Sequence, residues 1–116
     1  LNTIDISVPT EQGPWDIQAL KVSENFCIHG AIGGDHEVVV THVRTGRVAV
    51  TANTVAAAAE AAWALERLPI DWSFDDWTVS SRLAASHGDV LKQIGKACAF
   101  SDLEGLRQIG SAGVRQ

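Results

Sequence analysis

The stretch FCIHGAIGGDHEVVVTHVRTGRVAVTA, Phe26–Ala52, decides the fold class of this chain. Three β-rich runs, Phe26–Ile32, Glu37–Val43 and Val48–Ala52, are separated by Gly33-Gly34-Asp35 and by Arg44-Thr45-Gly46-Arg47. Branched and aromatic side chains suit a pleated surface, and Gly-rich links suit tight turns. The stretch therefore predicts a three-stranded antiparallel meander over about 26–52. If Gly34-Asp35 closes the first turn, Ile28 faces Thr41 and Phe26 faces Val43; if the second loop has an even number of residues, Val43 faces Val48. Phe26, Ile28, Ile32, Val39, Val43, Val48 and Val50 then share one face, which is a core face. A three-residue loop with a Gly46 bulge competes with this arrangement and sends the third strand's valines to the other side. The even loop is preferred because all three strands then agree.

Downstream, Asn53-Thr54 is an N-cap pair opening an Ala-rich helix over about 54–68, with Pro69 as its stop. At helical spacing Val55, Ala58, Ala61, Ala62, Leu65 and Leu68 share a side, which predicts that the helix lies close on the apolar side of the meander. Two to three short helices follow over about 76–110. Asp75 or Asp76 can cap the first, Gly88 ends it, and Asp89 can cap a second with Leu91, Ile94 and Cys98 on one side. Ser101 and Glu104 have capping-box spacing for a third. Upstream, Ile4, Ile6 and Val8 alternate as a short strand would, but Pro9, Gly13 and Pro14 break the pattern. Trp15, Ile17 and Leu20 then read as an arm along the core edge. The expectation is a single α+β domain over 1–116.

Of the 116 residues, 46% are hydrophobic and 20% charged, which suits a globular chain and not a disordered one. The net charge of −5 argues against a broadly basic nucleic-acid or membrane surface. No apolar run approaches the roughly 18 residues that span a bilayer, and Leu1–Thr10 lacks the features of a signal peptide, so a cytoplasmic location is expected. Free thiols at Cys27 and Cys98 accord with that. No dinucleotide fingerprint, P-loop, zinc-protease or nucleophile-elbow motif occurs, which leads to the expectation of no cofactor and of a non-enzymatic protein.

Four groups remain as functional candidates. In the preferred register the second sheet face displays Cys27, His29 and His42, where a thiol beside imidazoles suits a small-ligand or metal-dependent activity. Arg44 and Arg47 oppose each other at a hairpin tip and would repel unless an anion or acidic group lay between them. Trp63, Trp72, Phe74 and Trp77 lie among Asp71, Asp75 and Asp76, a composition that suits partner anchoring unless the helices beyond bury it.

The fourth is the C-terminal pair over 89–110. Its stretch Ile94-Gly95-Lys96-Ala97-Cys98-Ala99-Phe100-Ser101-Asp102, followed by Leu106-Arg107, resembles the helix-turn-helix of the arabinose-regulator type. That resemblance implies a small DNA-binding regulator whose reading helix starts near Asp102. Acids at that start and a single arginine work against phosphate neutralisation. The leading expectation is an interaction module that binds a protein partner or self-associates as a homo-oligomer, through the aromatic-acidic surface or the exposed sheet.

Overall fold

A computed structural model describes residues 2–30 and 37–114. Its sheet has five antiparallel strands in the order β1 (Asn2–Thr10), β2 (Gly13–Lys21), β3 (Phe26–Gly30), β4 (Val38–His42) and β5 (Val48–Ala52). Helices α1 (Val55–Glu66), α2 (Ser80–Ala99) and α3 (Leu103–Val114) follow, with one short 3-10 turn at Trp77–Val79. The α+β class holds; the meander has five strands rather than three. Among the described residues no helix is long and apolar enough to cross a membrane.

The two extra strands are a nine-residue hairpin, running from Asn2 opposite Lys21 to Thr10 opposite Gly13. Prolines 9 and 14 do not break it because they pair with each other. Pro9 lies on the open edge, and Pro14 lies on a part of β2 that no further strand joins, so no ladder bond needs their missing N–H groups. β2 meets β3 only through Leu20–Ile28 and Lys21–Cys27, and beyond those pairs the hairpin swings across the sheet's second face. There Ile6, Val8 and Ala19 bury against Cys27, with Ile4, Ile17 and Val43 at the margin.

That cover explains a correction in register. β3 and β4 pair as Phe26–His42, Cys27–Thr41 and Ile28–Val40, one residue off the expected alignment. A one-residue slip exchanges the faces of a strand. Val40 and His42 therefore face the helices beside Phe26 and Ile28, while Val39 and Thr41 share Cys27's face. The expected register assumed that one side of β4 meets water. In fact Val39, Val40, Thr41 and His42 are all buried, so the apolar pattern of β4 could not choose between faces. Four residues, an even number as expected, separate the hydrogen-bonded His42 and Arg47, but the loop starts one residue early and a bulge at Val40/Thr41 absorbs the offset. Val50 stays on the helix face opposite Val40, whereas Val48 is largely exposed. Ile32, Asp35 and His36 lie outside the described residues.

Gly46 makes the hairpin's return possible. Its φ of +70° is left-handed, and a Cβ there would run into the Ser7 carbonyl of β1. Only glycine satisfies both conditions.

The Thr54 hydroxyl caps α1 by accepting from the Ala57 N–H at 3.1 Å. Ala57, Ala58, Ala61, Ala62, Ala64 and Leu65 are buried because α1 is covered twice, by the sheet and by α3. Gly110 of α3 comes so close that an added Cβ would sit 3.4 Å from the Ala64 Cα. Alanine lets both neighbours approach. Glu66 ties this layer to the β2–β3 turn: its two carboxylate oxygens accept from the Asn25 backbone N–H and side-chain amide, both at 2.7 Å.

The expected break near Gly88 appears as a kink at His87 inside α2. Ser101 takes a positive φ of 51°, and Asp102, not Ser101, caps α3 by accepting from the Gly105 N–H at 3.0 Å.

Candidate functional site

His42 is fully buried and clamps the segment after α1 onto β4. Its Nε2 lies 2.7 Å from the Trp72 carbonyl, which can only accept, so Nε2 carries the hydrogen. Nδ1 then accepts from the Thr45 hydroxyl at 2.9 Å, and that hydroxyl accepts from the Arg47 N–H at 3.2 Å. Phe74 stacks on the imidazole with centroids 4.7 Å apart. Burial holds the imidazole below its ordinary pKa of 6.5. His42 is a neutral structural histidine in this setting.

The Cys/His group does not assemble as the sequence suggested. Cys27 and His29 share a face, but His42 is on the other. The Cys27 thiol donates to the Thr41 carbonyl at 3.6 Å, and burial pushes its pKa up to about 11. His29 donates from Nδ1 to the Gly30 carbonyl at 2.8 Å, and its Nε2 accepts from the Thr41 hydroxyl at 2.7 Å. A protonated, enclosed thiol is a poor nucleophile and a poor metal ligand. Among the described residues no group of three or more His, Cys, Asp or Glu is arranged to hold a metal.

The aromatic group divides between core and surface. Trp72, 4% exposed, meets Phe26 edge-on at 4.9 Å between centroids and donates from Nε1 to the Leu65 carbonyl at 2.9 Å. Phe74 is half-buried beside it. Trp63 is 42% exposed on α1 with the Arg67 guanidinium over its ring at 5.3 Å. The Trp77 side chain lies outside what the structure describes.

Burying Trp72 brings two sequence-separate candidates together. The carbonyl bond from Trp72 to His42 lays the acidic segment beside the β4–β5 loop, and Arg44 Nε donates to Asp75 Oδ1 at 2.9 Å. Arg44 holds the Asp75 carboxyl below its usual range, and the bond to Thr78 does the same for Asp76. Both members of the Arg44–Asp75 pair are substantially exposed, so its contribution to stability is small. Arg47 lies exposed across the loop, in no ion pair among the described residues.

These side chains form one wall of an open cleft of about 830 Å³. Ser7, Pro9 and Pro14 of the hairpin form the other wall, and Gly46 and Thr45 lie between. Trp15, 49% exposed, follows Pro14 at the hairpin's end. The hairpin wall was missed because Pro9 and Pro14 read as breakers; their symmetric placement about Glu11-Gln12 was the available signal.

The C-terminal pair forms a helix, a turn at 100–102 and a helix. α3 packs on α1, and Arg107 donates from Nε to Glu60 at 3.1 Å. The base that would serve a phosphate is thus engaged within the chain, while Asp102 and Glu104 are exposed at the start of α3. A positive φ falls at Ser101, two residues beyond Ala99, where the helix-turn-helix pattern places glycine.

No family model, no curated protein and no solved structure matches this chain.

Proposed function

We propose that this domain is a protein-interaction module that docks an acidic segment of a partner polypeptide in the cleft between the β1–β2 hairpin and the β4–β5 loop. The observation that carries the reading is the unequal use of the two loop arginines. Asp75 neutralises Arg44, whereas Arg47 is in no ion pair among the described residues and keeps its donors for an incoming group; Asp76, which accepts from the Thr78 N–H, stays a charged carboxylate in the same wall. An exposed guanidinium can hold a carboxylate by short, charge-assisted hydrogen bonds even on a chain of net charge −5. Pro9 and Pro14 give rigid, partly apolar surface at low entropic cost, which suits an extended backbone. The buried Cys27 thiol and the divided histidines lend support to binding over catalysis.

Titration with a short glutamate-rich peptide and with a lysine-rich control, followed by amide chemical shifts, tests this. The acidic peptide is expected to move the amides of Thr45–Val48 and Thr78 at low salt, and Arg47→Glu is expected to abolish the response. Equal responses to both peptides, or an unchanged response in Arg47→Glu, would defeat the proposal.

A further inference from the structure

His42 joins the helix-side core to the cleft through hydrogen bonds in series. Its Nε2–H donates to the Trp72 carbonyl at 2.7 Å, and across the ring Nδ1 accepts from the Thr45 hydroxyl at 2.9 Å. Thr45 is half-buried and lines the cleft, and its oxygen also accepts from the Arg47 backbone N–H at 3.2 Å. A hydroxyl has one hydrogen and two lone pairs. With the imidazole neutral, the hydrogen is spent on Nδ1 and one lone pair on Arg47.

A second proton on the ring goes to Nδ1, because Nε2 already carries the first. Nδ1 then becomes a donor, and its contact with Thr45 survives only if the hydroxyl oxygen accepts. Both lone pairs are then in use, and the hydroxyl hydrogen must turn to the one position left on that oxygen. The Trp72 carbonyl accepts in both states, so the clamp itself is not broken. Among the described residues, Arg44 of the β4–β5 loop opposes the added proton, whereas Glu66 at the end of α1 and Asp75 of the segment after it favour it. The rings of Phe26, Trp72 and Phe74 complete the surroundings described on the core side. Burial keeps the imidazole neutral near pH 7, which leaves its second proton to be taken up as pH falls.

We propose that His42 is a proton-linked regulator of the cleft: protonation at Nδ1 turns the Thr45 hydroxyl hydrogen into the cleft, where it joins Arg47 in holding the carboxylate of an acidic segment. The proposal rests on the acidic-segment reading above. Protonation and binding then reinforce each other. The segment binds more tightly as pH falls, and by reciprocity the bound segment raises the pH at which His42 takes its proton.

Two measurements on the full chain test it, each with the unmodified protein, Thr45→Val, Thr45→Ser and His42→Phe. In the free protein the His42 imidazole and the Arg47 amide proton are followed by NMR against pH. They should share one midpoint, and the Arg47 response should vanish in Thr45→Val and His42→Phe but persist in Thr45→Ser. The Kd of the glutamate-rich peptide is then measured at pH 7.5 and 5.5, both above the ordinary glutamate pKa of about 4.3. It should fall by about five-fold between them in the unmodified chain and in Thr45→Ser. In Thr45→Val and His42→Phe that ratio should drop toward one. His29, His36 and His87 are common to all four proteins, so a difference in ratio belongs to the relay. Thr45→Val leaves the buried ring in place and keeps the test decisive if His42→Phe fails to fold. An Arg47 amide indifferent to His42 overturns the proposal, as does a Kd ratio in Thr45→Val equal to that of the unmodified chain; the cleft reading survives either result. Absence of peptide binding at both pH values defeats the cleft reading and this proposal with it.

Discussion

The two faces of β3 and β4 are both covered, but by different means. Under the helices, Phe26, Ile28, Val40 and Ala52 join α1, α2, α3 and Trp72 in one continuous core. Under the hairpin, Ile6, Val8, Ala19 and Cys27 form a small separate cluster. The first face is held by many large side chains and by hydrogen bonds from His42 and Trp72 that cross between elements. The second depends on two residue pairs between β2 and β3 and on the approach of Ser7 to Gly46. Burial on the helix side is therefore redundant, while the hairpin side rests on a backbone that only glycine can supply. Regions held by few buried contacts open locally at lower cost than the global core. The cleft proposed for binding has one wall on each of these layers.

Removing a large side chain from the helix-side core should have the greatest effect. Trp72→Ala takes away a ring packed on Phe26 and leaves the Leu65 carbonyl without its indole donor. Truncation of a buried aromatic costs about 3–5 kcal/mol. Urea denaturation should show that loss as one cooperative transition, with hydrogen exchange accelerated in every element. A loss under about 1 kcal/mol would mean that Trp72 is not a core residue.

Gly46→Ala strikes the other face. A left-handed alanine costs about 1–2 kcal/mol, and moving the Ser7 carbonyl out of the way of the new methyl adds to that. A total of about 2–3 kcal/mol is expected, with an uneven distribution. Amides of β1 and β2 should lose protection from exchange while those of β3, β4 and α1 largely keep theirs. Uniform loss would show that hairpin and core form a single cooperative unit, and the contrast between the two faces would fall.

The same contrast explains what could be read from the chain. Strands β3 to β5 and helix α1 were legible because their signals are local: β-rich runs, the Thr54 cap and the Pro69 stop. Register was not legible, because choosing it required knowing that the second face is covered, and the cover lies in residues that contain two prolines. Arg44 and Asp75 were each visible as candidates. Their pairing was not, since residues 31 positions apart meet only after His42 captures the Trp72 carbonyl. Whether the Trp72 region is core or surface turned on the same bond.

The smallest effect expected concerns the titration of His42, and it separates the two faces once more. Burial lowers the pKa of this imidazole, and Arg44 acts in the same direction; the Trp72 carbonyl, Glu66 and Asp75 oppose them. In the unfolded chain His42 takes up its proton near pH 6.5. Between that pH and the lower folded value, the unfolded chain binds more protons than the folded one. Stability from this group is therefore complete above pH 6.5 and declines as pH falls below it, with a slope of at most about 1.4 kcal/mol per pH unit for one proton. Urea midpoints should be level from pH 8 to 7 and fall from pH 6.5 to 5. In His42→Phe, which keeps a ring against Phe74, the baseline should drop but that decline should flatten. His29, His36 and His87 are common to both chains, so the difference between profiles isolates the group on the helix face. Superimposable profiles would place the pH sensitivity elsewhere and remove His42 from its role as the neutral clamp of the helix-side core.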